Sequence, residues 1–470
     1  MADDWANSGL DLHVLLDAGR KRGSLEDALR DAVRDGVLAP GVRLPATRSL
    51  AVDLGISRNG VAEVYARLVG EGWLDARVGA GTWVRERPSP TPMAPADRST
   101  RFDLDLRGGL PDGSAFPRSA WLDAMRRALA DAPTEALGYG APEGVAALRE
   151  RLAEYLARTR GVLATPDDVI VTHGFGGLLG LVARALVARG GTRIALESHG
   201  HASHRAVLEA AGLELVALPI DDHGARVDLL DAGMPPVDAV LLTPAHQFPT
   251  GVPLSRERRV GLAAWATSTD GLVIEDDYDG EFRFDGRSIG AFQPLAPDRT
   301  VYGGTTSKAL SPALGLGWGV VPRWLRGDLL AERARTGSAT DALSQLALAA
   351  FLGSGGYDRS VRALRLRYRA RRERFEAFVE ANLPDARVVG LAAGIQCLLE
   401  LPPGIAEEAV VAEAAALGLR IGGIAEYAVD PAATPRPPAL VVGIGAPPDH
   451  RFDQAMAVVL AAVEAARVSR

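Results

Sequence analysis

The sequence predicts an α/β protein in two unequal parts, a small helical module with a hairpin and a large domain on a mostly parallel sheet. Three observations predict it. A proline-, serine- and threonine-rich stretch breaks the 470-residue chain near its first fifth. Before the break, apolar residues recur at helical spacing around a tight turn at Gly55-Ile56. After it, helical segments alternate with short β-rich runs, the pattern of strand-helix-strand units. A chain this long exceeds one ordinary core, since domains hold roughly 100 to 200 residues.

Composition sets the outer bounds. Hydrophobic residues make up 47% and charged residues 24%, close to globular averages, which excludes a disordered, collagen-like or coiled-coil chain. The single cysteine, Cys397, excludes an intramolecular disulfide and fits a reducing compartment. The N-terminus begins acidic and lacks the pattern of a signal peptide, so a cytoplasmic location is expected. Leu178 to Val187 is apolar, but Arg184 and Arg189 interrupt it well short of the ~20 residues a bilayer span needs, and no membrane segment is expected. With a net charge of −7, any attraction for nucleic acid must come from a local patch.

Residues 12–84 are expected to form the first domain, 85–101 a linker and 102–470 the second domain. Leu25, Ala28, Leu29, Ala32 and Val33 predict a helix over about 25–35, with a cap at Ser24 and Gly36 beyond its last turn. Thr47 is placed to cap a second helix through Leu50 and Leu54, ended by Gly55. Ser57 caps a third, with Val61, Val64, Tyr65 and Leu68 on one face. Two short helices about a tight turn make a helix-turn-helix. Trp73-Leu74 and Thr82-Trp83-Val84 flank Gly79-Ala80-Gly81, the spacing of a small hairpin or wing.

Such a helix enters the major groove by its N-terminal end, where Ser57, Arg58 and Asn59 fall, and arginine and asparagine pair well with guanine and adenine. From Arg43 to Arg85 six arginines face four acidic residues, a mildly basic surplus within an acidic protein. A protein-interaction module with ordinary surface arginines is the alternative. The stretch PGVRLPATRSLAVDLGISRNGVAEVYARLVGEGWLDARVGAGTWV resembles the winged helix-turn-helix of GntR-type bacterial regulators over nearly its whole length. The resemblance implies contacts to double-stranded operator DNA for Arg43, Arg48, Ser57, Arg58 and Asn59, with Gly79 at the wing tip.

In the large part, Val169–Thr172, Arg193–Leu196, Ala239–Thr243, Leu272–Glu275 and Thr300–Tyr302 read as strands. Ligands in such sheets gather at the carboxyl ends of the strands, so the residues that follow each run matter most. Thr172-His-Gly-Phe-Gly-Gly177 is a strand-to-helix turn whose amides suit a phosphate, or a glycine turn with a purely structural role. Glu275-Asp-Asp-Tyr-Asp279 is a carboxylate cluster that suits a metal, a cationic ring or a solvated turn, and no neighbouring histidine pair favours metal. Gly303-Gly-Thr-Thr-Ser-Lys308 sets a lysine behind small hydroxyl residues, a setting for a Schiff base with an aldehyde cofactor.

Together with LRGGLPDGSAFPRSAW, LGYGAPEGVAALRERLAEYLARTRGV, TPAHQFPTGVPLS, IEDDYDGEFRF and YGGTTSKALSPALGLGW, these runs resemble fold-type I pyridoxal phosphate enzymes of the aminotransferase superfamily. With the N-terminal module the chain resembles the MocR subfamily of GntR-type regulators, over almost all of residues 20 to 445. The resemblance implies a smaller C-terminal α+β subdomain, pyridoxal 5'-phosphate as cofactor and a head-to-tail, domain-swapped homodimer. It implies Lys308 as the Schiff-base lysine, Asp276 as partner of the pyridine nitrogen and Tyr278 as donor to the phenolic oxygen. Thr305, Ser307 and the backbone of Gly174, Phe175 and Gly176 would hold the phosphate, and Tyr139 would reach it from the other subunit. His246 and Phe248 occupy the stretch facing the ring, where aminotransferases carry an asparagine.

The chain also departs from the family. Seven residues beyond the lysine, where the family places a phosphate-binding arginine, stands Gly315, which removes the strongest expected partner of a dianion. Glutamines are absent from the glycine-rich turn, and His201 replaces the aromatic residue that stacks on the ring. His173 and His201 are the candidates to compensate electrostatically. The expected function is a DNA-binding transcription regulator that senses pyridoxal phosphate, an amino compound, or both. The alternatives are an active aminotransferase and a regulator that has lost the cofactor. Catalysis needs an arginine for the substrate carboxylate, for which Arg420 is a candidate by approximate position only, with a plain surface arginine as its alternative.

Overall fold

A computed structural model of the chain describes residues 25–77, 79–86, 102–284, 289–337, 339–430, 434 and 436–468. The Ser24 cap and most of the expected linker lie outside these residues. The chain divides into two compact units, Met1–Ser99 and Thr100–Arg470.

In the first unit, α1 (Leu25–Arg34) starts with Glu26 and Asp27 and ends with Arg34, each complementing the helix dipole. Helix α2 (Thr47–Leu54) begins one residue earlier than its expected cap requires. Ala46 holds the N-cap position in extended backbone, so Thr47 is already the first helical residue and no side chain caps the helix. Gly55 ends it in the left-handed region, at φ +65°, donating back to the carbonyls of Ala51 and Val52. Ser57 caps α3 (Arg58–Gly70) by accepting from the Gly60 amide at 3.0 Å. Strands β1 (Leu74–Arg77) and β2 (Gly81–Val84) pair antiparallel as the wing, with Leu74 opposite Val84. Leu29, Leu50, Val61, Leu68 and Leu74 close a core made wholly of this unit's residues.

The second unit is organised by a seven-stranded sheet of β3 (Val169–Thr172), β4 (Arg193–Glu197), β5 (Glu214–Leu218), β6 (Ala239–Leu242), β7 (Leu272–Asp276), β8 (Thr300–Thr305) and β9 (Gly317–Val320). Its order is β3-β9-β8-β7-β6-β4-β5, and only β9 runs antiparallel to its neighbours. Strands β5 and β9 were not legible as strands in the sequence; β9, Gly317-Trp-Gly-Val320, is half glycine. Those glycines are needed because Gly317 and Gly319 lie against the Gly174 backbone and the Leu178 side chain, where a Cβ would stand 2.6 Å and 2.5 Å away.

Around the sheet lie α4 (Arg118–Asp131), α5 (Ala146–Arg160), α6 (Gly174–Ala188), α7 (Ala202–Ala210), α8 (Arg256–Thr269), α9 (Arg323–Thr336), α10 (Ala342–Gly353) and α11 (Gly356–Asn382). Alternate residues of one strand feed opposite faces, as period-2 geometry requires: Ile274 packs with Leu178 and Leu325, whereas Val273 packs with Leu262 and Trp265. Within the apolar run Leu178–Val187, residues 178–183, Ala185 and Leu186 are the buried stretch of α6, packed against the sheet, and Val187 is exposed. Beyond α11 lie four short antiparallel strands, β10 (Arg387–Val389), β11 (Gln396–Glu400), β12 (Gly422–Gly423) and β13 (Ala439–Gly443), in the order β10-β11-β13-β12. With α12 (Glu407–Ala416) and α13 (Asp449–Val468) they form the smaller α+β subdomain. Among the described residues no helix is long and apolar enough to cross a membrane.

Candidate functional site

The carboxyl ends of β3, β4, β6, β7 and β8 surround a cavity of about 250 Å³. Chain topology explains the location, since each parallel strand delivers the turn that follows it to the same edge. Lys308, Asp276, Tyr278, Thr305, Ser307, Gly174, Phe175, Gly176, His201 and Phe248 all line it.

At one end lies an anion cup. Gly174, at φ +67°, starts α6, so its amide and those of Phe175 and Gly176 are among the first N–H groups of a helix and have no carbonyl within the helix to meet. Opposite them, Thr305 Oγ1 and Ser307 Oγ lie 2.8 Å apart. The register of β9 brings the two sides together, because Gly317 stands opposite both Thr172 and Thr305.

At the other end, Asp276 terminates β7 in full burial, and its Oδ1 has no hydrogen-bond partner. Burial pushes this carboxyl well above its ordinary range, Lys308 pulls it back down, and Asp277, Asp279 and Glu197 push it further up. An unpartnered buried carboxylate oxygen is costly, and it invites a cationic N–H. Lys308 Nζ donates to the Gly109 carbonyl at 2.7 Å. Burial lowers the pKa of this amine, against the opposing pull of Asp276 and Asp279, which favours the neutral, nucleophilic form.

The carboxylate cluster divides by strand alternation. Asp276 and Tyr278 face the cavity, while Glu275 accepts from the Phe292 and Gln293 amides and Asp277 pairs with Arg160 at 2.6 Å. The cluster is therefore a buried structure and not a solvated turn. Tyr278 accepts from Gln396 Nε2 at 2.7 Å and directs its own hydroxyl at the His246 carbonyl, 3.2 Å away. His246 stands behind Tyr278, outside the cavity lining, with Nδ1 on Asp279 at 2.8 Å. Phe248 and His201 stack with centroids 5.7 Å apart and form an aromatic wall. Tyr139 is fully exposed, away from the cavity of its own chain. Arg420 lies over the Phe102 ring, and no arginine lines the cavity among the described residues.

Sequence reading missed nine of the lining residues, His204, Glu197 and Gly109 among them. His204 is half-buried with Nδ1 3.9 Å from Asp276, and desolvation pushes its pKa down to about 3, which favours the neutral imidazole. Its signal was the three-residue spacing from His201 on α7, which sets both rings on one helix face. Glu197 accepts from Thr243 through both the amide and Oγ1, and burial raises its carboxyl to about 7. Gly109 comes from a segment distant in sequence, which no local pattern connects to Lys308.

In the first unit, Arg43, Arg48, Ser57, Arg58 and Asn59 are all exposed, and Gly79 sits at the wing turn at φ +79°. Arg30, Arg34, Arg67 and Arg85 have carboxylate partners, whereas Arg43, Arg48, Arg58 and Arg77 have none among the described residues. Arg58 at the exposed start of α3, Arg48 on α2, and Arg43 and Arg77 beside the wing are thus exposed cations without a carboxylate partner among the described residues, of a kind suited to phosphate and base edges.

Comparison with known proteins assigns a family to each part of the chain. Residues 21–84 match the family of bacterial regulatory proteins, gntR family, and residues 105–423 match aminotransferase class I and II. The chain is 34% identical over 410 residues to the HTH-type pyridoxine biosynthesis transcriptional regulator PdxR of Corynebacterium glutamicum, covering 86% of this chain and 88% of that one. It is 33% identical over 384 residues to the probable rhizopine catabolism regulatory protein MocR of Rhizobium meliloti, covering 77% of each. Among solved structures, an archaeal alanine:glyoxylate aminotransferase superposes with a TM-score of 0.70 at 24% identity, over 77% of this chain and 91% of that one. Kynurenine aminotransferase of Pyrococcus horikoshii gives 0.69 at 22%, over 78% and 92%. The gntR-type module carries DNA binding with it, and the aminotransferase fold carries pyridoxal phosphate binding. The chain belongs to the MocR subfamily of GntR-type transcription regulators, in which a winged helix-turn-helix is joined to a fold-type I aminotransferase-like domain.

Proposed function

We propose that this regulator reads pyridoxal 5'-phosphate, alone or with an amino compound, through the Lys308 cavity and converts its occupancy into altered binding of operator DNA in the cytoplasm. The observation that carries the reading is the buried Asp276 Oδ1, unpartnered at one end of a cavity whose other end is an anion cup. The residues fit the group. Asp276 would hold the ring nitrogen, Lys308 the aldehyde carbon, and Gly174, Phe175, Gly176, Thr305 and Ser307 the phosphate. When bound, pyridoxal phosphate supplies an aldehyde that condenses with amines. Lys308, whose pKa burial lowers, is the resident amine, and an effector amine would compete with it. His201 and Phe248 would cover the ring and exclude water from it.

On the DNA side, Arg58 and Asn59 would reach base edges from the start of α3, while Arg43, Arg48 and Ser57 contact phosphates and the Gly79 turn approaches the minor groove. A homodimer, with Tyr139 of each subunit completing the other's cup and two readers addressing two half-sites, accounts for the full exposure of that tyrosine. Among the described residues no arginine lines the cavity, which favours sensing over transamination, since an amino-acid substrate needs a guanidinium for its carboxylate.

The test is a visible absorption titration of wild type and Lys308→Ala with pyridoxal phosphate. A saturable shift in the wild type that the variant lacks supports the reading. No shift at saturating cofactor would remove it.

A further inference from the structure

His173 stands next to Gly174 at the phosphate end, just outside the residues that line the cavity, with its hydrogen-bonding capacity unspent. It occupies the N-cap position of α6, one residue before Gly174, yet its side chain makes no capping bond. It has no hydrogen-bond partner among the described residues, and its ring is exposed. The ring is nonetheless seated. It lies over Gly315, where a Cβ would come within 2.5 Å of Cε1 and within 3.1–3.2 Å of both ring nitrogens. Gly315 itself is at φ +60°, so backbone strain and the imidazole both exclude a side chain there.

The sheet register explains why this ring belongs to the cup. Thr172 and Thr305 flank Gly317 on opposite sides, so the residue after Thr172 and the hydroxyls after β8 leave the sheet together. The three histidines that do line the cavity are committed elsewhere, His199 meeting Ser198 Oγ at 3.2 Å. His201 stacks on Phe248 and turns Nδ1 to Ser203 at 2.9 Å, and His204 is packed on Phe175.

We infer that His173 is a ligand of the phosphate group, its imidazole donating an N–H to a phosphate oxygen across the space that Gly315 leaves open. This rests on the reading that the cavity takes pyridoxal phosphate. The ring would then set specificity for the phosphorylated cofactor over the unphosphorylated vitamer, since only the former presents an anionic acceptor there.

Dissociation constants for pyridoxal phosphate and for pyridoxal, measured by absorption on wild type, His173→Ala, His173→Gln and Gly315→Ala, test it. Hydrogen bonds to charged groups predict a loss of about tenfold or more for pyridoxal phosphate in His173→Ala, with pyridoxal unchanged. His173→Gln, which keeps an N–H donor, should recover part of that loss. Gly315→Ala should lose phosphate-specific affinity too, because the new methyl displaces the ring without removing it. Equal losses for both ligands, or none, in His173→Ala would overturn the inference while leaving the cavity reading intact. A wild type that binds neither ligand would overturn the cavity reading itself, and the inference with it.

Discussion

In the proposed reading the large domain's chemistry turns on Asp276 and Lys308, both buried polar groups that a ligand would satisfy. A buried carboxylate with an empty oxygen gains a charge-assisted hydrogen bond when a pyridinium N–H arrives. Asp276→Asn should therefore weaken pyridoxal phosphate binding by about ten- to a hundredfold, read from an absorption titration, with the fold retained. His204 supplies a pH signature. Its folded-state pKa of about 3 lies below the ordinary 6.5, so the unfolded chain binds its proton more readily. The stability it contributes is present above about pH 6.5 and declines as pH falls towards 3. Denaturant unfolding of wild type and His204→Gln across that window should show a shallower acid-side loss in the variant. At this scale the sequence was legible wherever chemistry-bearing residues clustered along the chain, as in Thr305, Ser307 and Lys308. It was illegible where a contact joins distant segments, as in Gly109 with Lys308 or Gln396 with Tyr278.

The reader depends on two caps at the level of elements. Gly55 reverses the chain after α2 at φ +65°, and Ser57 starts α3 two residues later. Ser57→Ala should cost about 1 kcal/mol of reader stability through the lost cap, measured by thermal unfolding. Arg58→Ala, whose side chain stands at the exposed start of α3, should leave stability unchanged and reduce DNA affinity by about 1–3 kcal/mol with relaxed base preference. Arg48→Ala should instead weaken all sequences alike and lower the salt dependence of binding by about one unit of slope, as loss of one phosphate contact requires. Helix and strand periodicity exposed most elements, because α3 and β3 each bury a regular set of side chains. The cap of α2 was misread because a threonine suits the N-cap and the first turn alike, and only backbone angles separate the two. Strand β9 escaped notice because its glycines serve close packing against α6 and so carry no β-propensity.

Over the whole molecule, two units with separate cores share one chain. Pyridoxal phosphate at about a hundred times its Kd should stabilise the large unit by about 2.7 kcal/mol, raising its unfolding temperature in calorimetry while the reader's transition stays in place. Family membership was legible because ordered motifs span both units, and the same motifs single out Gly315, where the resemblance leads one to expect a cation. What stands in that space, the His173 ring, required three-dimensional register to see. Regulation requires that the cofactor prefer one of two states with different DNA affinity, since a ligand shifts an equilibrium only by its differential affinity. The direct test is the affinity of wild type and Lys308→Ala for a DNA site selected by this protein from a random pool, with and without saturating pyridoxal phosphate. The account predicts a change of about fivefold or more in the wild type, within the usual range of allosteric coupling, and none in the variant. A wild type that binds the cofactor yet holds DNA with unchanged affinity would contradict it.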